Sequence, residues 1–521
     1  MSINCIDANK VGQRARRDWL AALVLFAVAL ALRIPYRSQW AYHWDSAEFV
    51  VAMREYNASL GQPHVPGYFL YVMLGRLVSF FIGASHASLV WLSLITGSGL
   101  VALVYVLGTE MFERRVGLAA ALFAMTSPQL WFHSCVALTY VVDAFLVCLM
   151  VLCCWRACRH GCRWADGVII GSVLAIIGGV RPQTVPALIP LVAYTIWAAA
   201  DRRLAKLALT VCVCVIGTLA WLLPMIRMSG GWSVYAAAVH RHRLFNAPST
   251  FAAGGIDALV WNLFFVGLYC WDGLLLGAVL LACALIARLR MERGRKRNWD
   301  AAHGAAVRML ALWIGPMLVM GTAVAFTKQP GYVLSYLPGL IILVAVVANE
   351  LRKRALFGAV TASLCLVNAA TFLAWPRQWD GVFFHVGRTA RELREHDQEL
   401  AQIVHAIRHQ LDPKETIVCH AHEYLPLGLR HLQLYLPEFE QYQLAIDPVM
   451  LSPADKPMMR IRGGRLGFVR GLELAGKRVL ALVVPRGTSL EDYAPHFDLR
   501  DAKPLADSGG YVYTVPVGAT K

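Results

Sequence analysis

Long apolar runs, broken only by short connectors, dominate the first 375 residues. A bilayer core takes about 20 apolar residues per helix, and the chain supplies about eleven such runs. They are Trp19 to Tyr36, Ala87 to Gly108, Val116 to Pro128, Ala137 to Trp155, Gly167 to Val180 and Thr184 to Ala200. Leu207 to Ile226, Leu259 to Ala287, Met309 to Phe326, Tyr332 to Asn349 and Ala355 to Trp375 complete the set. Val116 to Pro128 and Gly167 to Val180 are short for a span. With 58% hydrophobic and only 16% charged residues, a soluble fold of 521 residues could not cover its surface. The expected architecture is a polytopic α-helical membrane protein.

The net charge of +16 would suit a nucleic-acid binder, but its placement argues against one. Basic residues gather in alternate connectors, as they do in cytoplasmic loops. Lys10, Arg14, Arg16 and Arg17 precede the first run, and Arg114 and Arg115 follow the second. Arg156, Arg159 and Arg163, then Arg202, Arg203 and Lys206, continue the series. It ends with "RLRMERGRKR" (Arg288 to Arg297) and Arg352 to Arg354. This alternation predicts a cytoplasmic N-terminus and, after an odd number of spans, an extracytoplasmic C-terminus. The first run lacks a small-residue cleavage site and reads as an uncleaved span. Short loops point to a multi-pass protein of a bacterial inner membrane.

After Trp375 the composition turns polar. "ETIVC", "YQLAI", "RVLALVVP" and "YVYTVPV" alternate with helical stretches, which predicts a small C-terminal α/β domain on the extracytoplasmic side. The chain thus divides into a membrane part, 1–375, and an extracytoplasmic part, 376–521. Of 13 cysteines only Cys419 falls in the latter, so no disulfide framework is implied.

The first outside loop, 37–86, is unusually rich in polar groups. It reads "AYHWDSAEFVVAMREYNASLGQPHVPGY" from Ala41 to Tyr68. Asp45 and Glu48 are spaced as a capping box, in which the first acid caps a helix and the second reaches back. Two carboxylates on a first helical turn can equally face a cleft, and the sequence leaves both readings open. Pro66-Gly67 suits the centre of a type II turn, with His64 just before it. "FLYVMLGRLVSFFIG" then reads as an interfacial helix.

Other polar residues fall at span ends. Arg181, in "GGVRPQ", either snorkels or binds an anion, and Lys328, in "FTKQPGY", sits at a similar edge. Asp143, in "ALTYVVDAF", falls inside a span and needs a partner or a wet face. "HRHRLFN" places Arg243 in a second outside loop. "CCWRACRHGC" and "CHAHEY" resemble metal-ligand runs, yet each lacks further ligands at a suitable spacing and reads as a helix end and a strand edge. Nothing in the sequence demands a metal or a cofactor.

Together these stretches resemble the C-type integral membrane glycosyltransferases, on the protein O-mannosyltransferase-like side (the family 39-like branch). The loop "WDSAEFVVAMREYNASLGQPHVPGYFLYVMLGRL" carries the resemblance, with "SPQLWFHSCVALTYVVDAFL", "GGVRPQTVPALIPL" and "PGYVLSYLPGLIIL" as later landmarks. It implies transfer of a sugar, hexose or pentose, from a polyprenyl-phosphate donor to a protein, lipid or glycan acceptor on the outer face. Asp45 would then be the general base and Glu48 its support. Arg181, Lys328 and Arg243 would hold the carrier phosphate, and His64, Tyr68, Tyr140 and Asp143 would line the substrate cleft. This chain departs from many relatives in having Ser46 after Asp45, where they place Asp-Glu together. His64 stands where some relatives have a lysine. The competing expectation is a lipid or glycan transporter, which would need charged groups deep in broken spans and an internal repeat.

Overall fold

The computed structural model describes residues 8–83, 85–291, 301–324, 329–351, 353–374, 388–420, 427–444, 456, 458–462, 465–474, 476–484 and 488–517. Among these, seven helices are long and apolar enough to cross a membrane: Arg17–Tyr36, His86–Met111, Tyr140–His160, Arg203–Met228, Phe251–Leu274, His303–Val324 and Arg354–Ala374. Phe69–Ile82, Trp164–Val180, Leu276–Ala287 and Leu337–Asn349 are shorter apolar helices. The two doubtful runs are helical, as Arg114–Thr126 and Trp164–Val180. The faces of the apolar helices carry large exposed side chains such as Leu23, Leu118, Ile216 and Leu366. A water-facing surface would not tolerate that density, whereas a lipid-facing one requires it.

The expected span Leu259 to Ala287 is not continuous. It is cut at Leu275, whose φ of 45° and ψ of −121° separate Phe251–Leu274 from Leu276–Met291. At this break Ser127 Oγ donates to the Gly273 carbonyl at 2.7 Å, giving that helix-end carbonyl a partner outside its own helix.

The first loop is built on a short helix, Trp44–Arg54, nearly all of it buried. Its last carbonyls would be orphaned. Arg76, on the following helix Phe69–Ile82, donates to those of Met53 and Ala52 at 3.0 Å each. The turn before that helix closes from Gly67 N to His64 O at 3.0 Å, so Val65 and Pro66, rather than Pro66 and Gly67, are its central pair.

The C-terminal part is an α/β domain around one seven-stranded sheet. The strands are β1 (Thr416–His420), β2 (Glu440–Leu444), β3 (Met458–Arg462), β4 (Arg465–Val469), β5 (Val479–Val483), β6 (Lys503–Pro504) and β7 (Val512–Pro516). Their order is β4-β3-β2-β1-β5-β7-β6, with β1 parallel to β2 and β5 and the outer pairs antiparallel. The hairpin of β3 and β4 was not expected from the sequence. One apolar layer, including Ile403, Val404 and Ile407 of helix Ala390–Gln410, also receives Trp40 and Trp44 of the first loop.

That contact docks the domain onto the loop. Asp397 accepts from the backbone N–H groups of Gln39 and Trp40 at 2.7 and 3.1 Å. The Tyr435 hydroxyl accepts from Ala41 N at 2.8 Å, and the His431 ring meets the Ala41 carbonyl at 2.9 Å. Gly428 lies against the Trp44 ring so closely that an added Cβ would fall 2.4 Å from it.

Candidate active site

The helix that carries the two acids starts two residues earlier than a capping box on Asp45 and Glu48 would require. His43 is its N-cap, and the His43 Nδ1 accepts from Asp45 N at 3.1 Å. Asp45 is therefore inside the first turn, and its carboxylate is not used as a cap. Glu48 does not reach back to the backbone either. Its Oε1 accepts from the Trp44 indole at 2.7 Å, and its Oε2 from His64 N at 3.0 Å. The same Oε2 lies 2.5 Å from His64 Nδ1. The capping-box reading of "WDSAEF" is thus overturned: an imidazole took the cap and freed both carboxylates.

The two acids differ sharply in access. The Glu48 side chain is 5% exposed and saturated with partners, while that of Asp45 is 22% exposed. Asp45 Oδ1 lies 3.6 Å from His43 Nδ1 and 3.9 Å from His64 Nδ1. Burial pushes the Asp45 carboxyl up, but the neighbouring His43 and His64 rings and the Arg181 charge outweigh it and hold it well below the usual range. Burial likewise opposes charge on His64, yet the Glu48 and Asp45 carboxylates push that ring up to about 9. His64 is an imidazolium clamped between two carboxylates. His242, from helix Trp232–Asn246, stacks on it with centroids 5.9 Å apart, and burial together with the His64 charge pushes His242 down to about 4.

Arg181 supplies the second charged element. It is the C-cap of helix Trp164–Val180, 4% exposed, and its guanidinium lies over the Tyr140 ring at 4.4 Å and the Tyr332 ring at 4.8 Å. Its Nη1 donates to Thr139 Oγ1 at 3.1 Å. Asp143 Oδ2 is 3.8 Å from Arg181 Nε and accepts from Thr184 Oγ1 at 3.0 Å. Gly331 makes this cage possible, because a Cβ there would stand 2.1 Å from the Tyr140 ring. Tyr68 lies edge-on to His64 at 5.1 Å and links the loop acids to the cage. A small cavity opens beside Arg181, lined by Asp143, Gln183 and Thr184 and by the apolar Val266, Met317 and Met320.

Of the residues singled out from sequence, Asp45, Glu48, His64, Tyr68, Tyr140, Asp143 and Arg181 converge here. Lys328 and His422 lie outside the described residues. Arg243 is exposed on its helix, and its neighbour His242 is the residue that meets the loop. The "CCWRACRHGC" cysteines are free thiols at a helix end, and His420 is buried on β1. Asp45, Glu48 and His64 each offer one ligand atom within 4.8 Å of the others, so this trio could hold a divalent ion. With His64 Nδ1 turned onto Glu48, the imidazolium itself supplies the positive charge there. His43, Trp44, His242, Tyr332 and Arg430 were not foreseen. Four of them lay within stretches already quoted, whereas Arg430 carries no local signal.

The family model described as dolichyl-phosphate-mannose-protein mannosyltransferase matches residues 64–227. That span holds His64, Tyr68, Tyr140, Asp143 and Arg181, and begins after the two loop acids. The structure of ArnT from Cupriavidus metallidurans bound to undecaprenyl phosphate aligns with a TM-score of 0.56 at 14% identity, covering 97% of this chain and 98% of that one. The chain has the C-type membrane glycosyltransferase fold. ArnT in its apo state gives a TM-score of 0.53 at 14% identity over the same shares. The Archaeoglobus fulgidus oligosaccharyltransferase in complex with Zn and sulfate reaches 0.45 at 13% identity, over 81% of this chain and 62% of that one, too loose a likeness to argue from. No curated protein sequence matches the chain significantly. The charges around the cavity sit at helix ends: Asp143 in a first turn, Arg181 at a C-cap.

Proposed function

We propose that this chain moves a sugar, hexose or pentose, from a polyprenyl-phosphate carrier to an acceptor hydroxyl at the end of the bundle that carries the first loop. The observation that carries the proposal is the pairing of one accessible carboxylate, Asp45, with an under-partnered guanidinium, Arg181, close enough to act on it. The small cavity beside Arg181 marks where a phosphate oxygen could approach the guanidinium, and a carrier would have to widen it. Undecaprenyl phosphate is what the ArnT structure holds.

In the proposed step the acceptor oxygen attacks the anomeric carbon and its proton passes to Asp45. The bond from the anomeric carbon to the phosphate oxygen breaks, and the phosphate leaves with the electron pair. Phosphate is a good leaving group, so the site needs a fixed cation rather than a general acid. Arg181 supplies it in a geometry suited to two oxygens. An Asp45 held strongly acidic is a poor base in the empty site. The arriving phosphate offsets the Arg181 charge and raises its proton affinity when the donor is in place. Glu48, saturated by Trp44 and His64, is the support.

Basic connectors gather away from the first loop, which supports a cytoplasmic N-terminus and an extracytoplasmic site. A phosphatase fused after Lys521 is expected to be active in intact cells of a bacterial host; an inactive, stable fusion reverses the orientation. The test of the activity is mass spectrometry of envelope glycans, glycolipids and glycoproteins from cells lacking the gene. One missing sugar, restored by the wild-type gene, is the expected result. An unchanged profile, with no binding of undecaprenyl phosphate by the purified protein, would remove the proposal.

A further inference from the structure

We infer that Arg430, on the C-terminal domain, is a positioning residue for the site: it fixes the Glu48 carboxylate against His64, so that the membrane part is incomplete without the domain. This rests on the reading of Asp45 and Arg181 as the reacting and carrier-binding groups.

Arg430 lies on the short helix Leu429–Tyr435 and is 1% exposed. Its Nη1 donates to Gln433 Oε1 at 2.7 Å, and its Nη2 to the Leu60 carbonyl of the first loop at 2.5 Å. Its Nε is buried without a hydrogen-bond partner and faces Glu48 Oε1 at 3.8 Å. A guanidinium removed from water at such cost must be compensated by a nearby charge. Glu48 is the one carboxylate with which it forms an ion pair among the described residues.

The geometry then runs as a relay. Glu48 is gripped at Oε1 by Trp44 and Arg430 and at Oε2 by His64, and His64 in turn faces Asp45. Without Arg430 the Oε1 side keeps only the indole, and the carboxylate can rotate away from His64. The chain makes room for this grip. Gly61 has φ of +71°, and a Cβ there would lie 2.8 Å from Arg430 Nη2. The helix is held in place independently, by Tyr435 and His431 on Ala41. Removing the guanidinium therefore leaves the docking intact while loosening the acid.

The test uses the full chain in membranes of cells lacking the gene, which still hold the native donor and acceptor. Product is read by mass spectrometry, and carrier binding by the thermal shift of the purified chain with undecaprenyl phosphate. Arg430→Ala is expected to lower product formation on the order of 10²-fold, because a misplaced supporting group costs that much. Affinity for undecaprenyl phosphate stays at wild type, since the Arg181 cage is untouched. Added guanidinium chloride at millimolar levels restores product in Arg430→Ala but not in Glu48→Gln. In the Glu48→Gln background, Arg430→Ala adds less than about twofold, as residues acting through one another do not add. Full product in Arg430→Ala, or a loss of product with carrier affinity and no rescue, overturns the inference. Should Arg430→Ala not fold, Arg430→Lys keeps charge and stem but cannot serve Gln433, Leu60 and Glu48 together. Reduced product with normal carrier binding is then expected, and full product overturns the inference. If wild type itself neither binds undecaprenyl phosphate nor forms product, it is the proposed function that fails.

Discussion

Two buried cations at opposite ends of the bundle are used in opposite ways. Lys206 is 5% exposed and Arg181 is 4% exposed, so burial does not distinguish them. Lys206 Nζ donates to the Cys162 carbonyl at 2.5 Å and to Asp201, and lies 5.6 Å from the Trp164 ring. Its donors are spent on tying three helix ends together. Arg181 has five N–H donors. Among the described residues it donates to Thr139 Oγ1 at 3.1 Å and meets the Tyr332 side chain, faces its carboxylate at 3.8 Å, and is otherwise covered by aromatic faces. A saturated buried charge acts as a clamp. An under-saturated one, beside a cavity, is prepared for an anion.

The largest expected effect breaks the site without touching either cation. Asp45→Asn is expected to reduce sugar transfer by about 10²–10⁴-fold, the usual worth of general-base assistance. Melting should fall only by the lost pairing of Asp45 with His64, because His43 caps the helix and the Asp45 side chain does not. Next, exchanging the cations sharpens the contrast. Arg181→Ala is expected to weaken undecaprenyl phosphate binding by roughly 10–100-fold, the value of charge-assisted hydrogen bonds, with some loss in melting because Asp143 loses its buried ion-pair partner. Lys206→Ala should act on stability alone, costing about 1–3 kcal/mol by leaving the Cys162 carbonyl unpaired while carrier affinity holds. Arg181→Lys should show a smaller loss than Arg181→Ala, because a point charge cannot match two oxygens.

The pH response comes next in size. A histidine whose folded value is raised stabilises the fold fully below its unfolded value, about 6.5, and loses that contribution as pH rises through the folded one. For His64 the window is therefore from about 6.5 to about 9. Melting temperature should decline across it, and transfer should fall above it as the imidazolium between Asp45 and Glu48 discharges. His64→Gln should flatten that decline, as differential scanning fluorimetry across pH can show. The smallest effect is expected at Arg243. Its side chain is exposed, so Arg243→Ala should change carrier affinity less than about twofold.

What the sequence conveyed depended on distance along the chain. The helical bundle was legible because bilayer thickness dictates run length, and among the described residues most of the runs are continuous helices. The breaks, at Leu275 and between Ser335 and Leu337, are ones no local pattern reveals. The loop acids were legible as a pair, but residue preferences favour Asp over His as an N-cap, which assigned Asp45 the role His43 holds. Arg181 was legible from its place at a span end, while its cage required Tyr332 to arrive from a distant segment. Arg430 was illegible, since its bond to Leu60 spans 370 residues and lies across a domain boundary. The strands β3 and β4, at one end of the sheet, were missed because "MMRIR" and "RLGFV" lack a clean alternation of apolar and polar residues.

The division of labour between Asp45 and Arg181 is tested most directly by one paired measurement. Undecaprenyl phosphate affinity and product formation are measured side by side for Asp45→Asn and Arg181→Ala. Asp45→Asn should bind the carrier as well as wild type and form almost no product, whereas Arg181→Ala should fail at binding. If Asp45→Asn turns over normally, or if Arg181→Ala binds the carrier with wild-type affinity, the roles assigned to these two residues are contradicted.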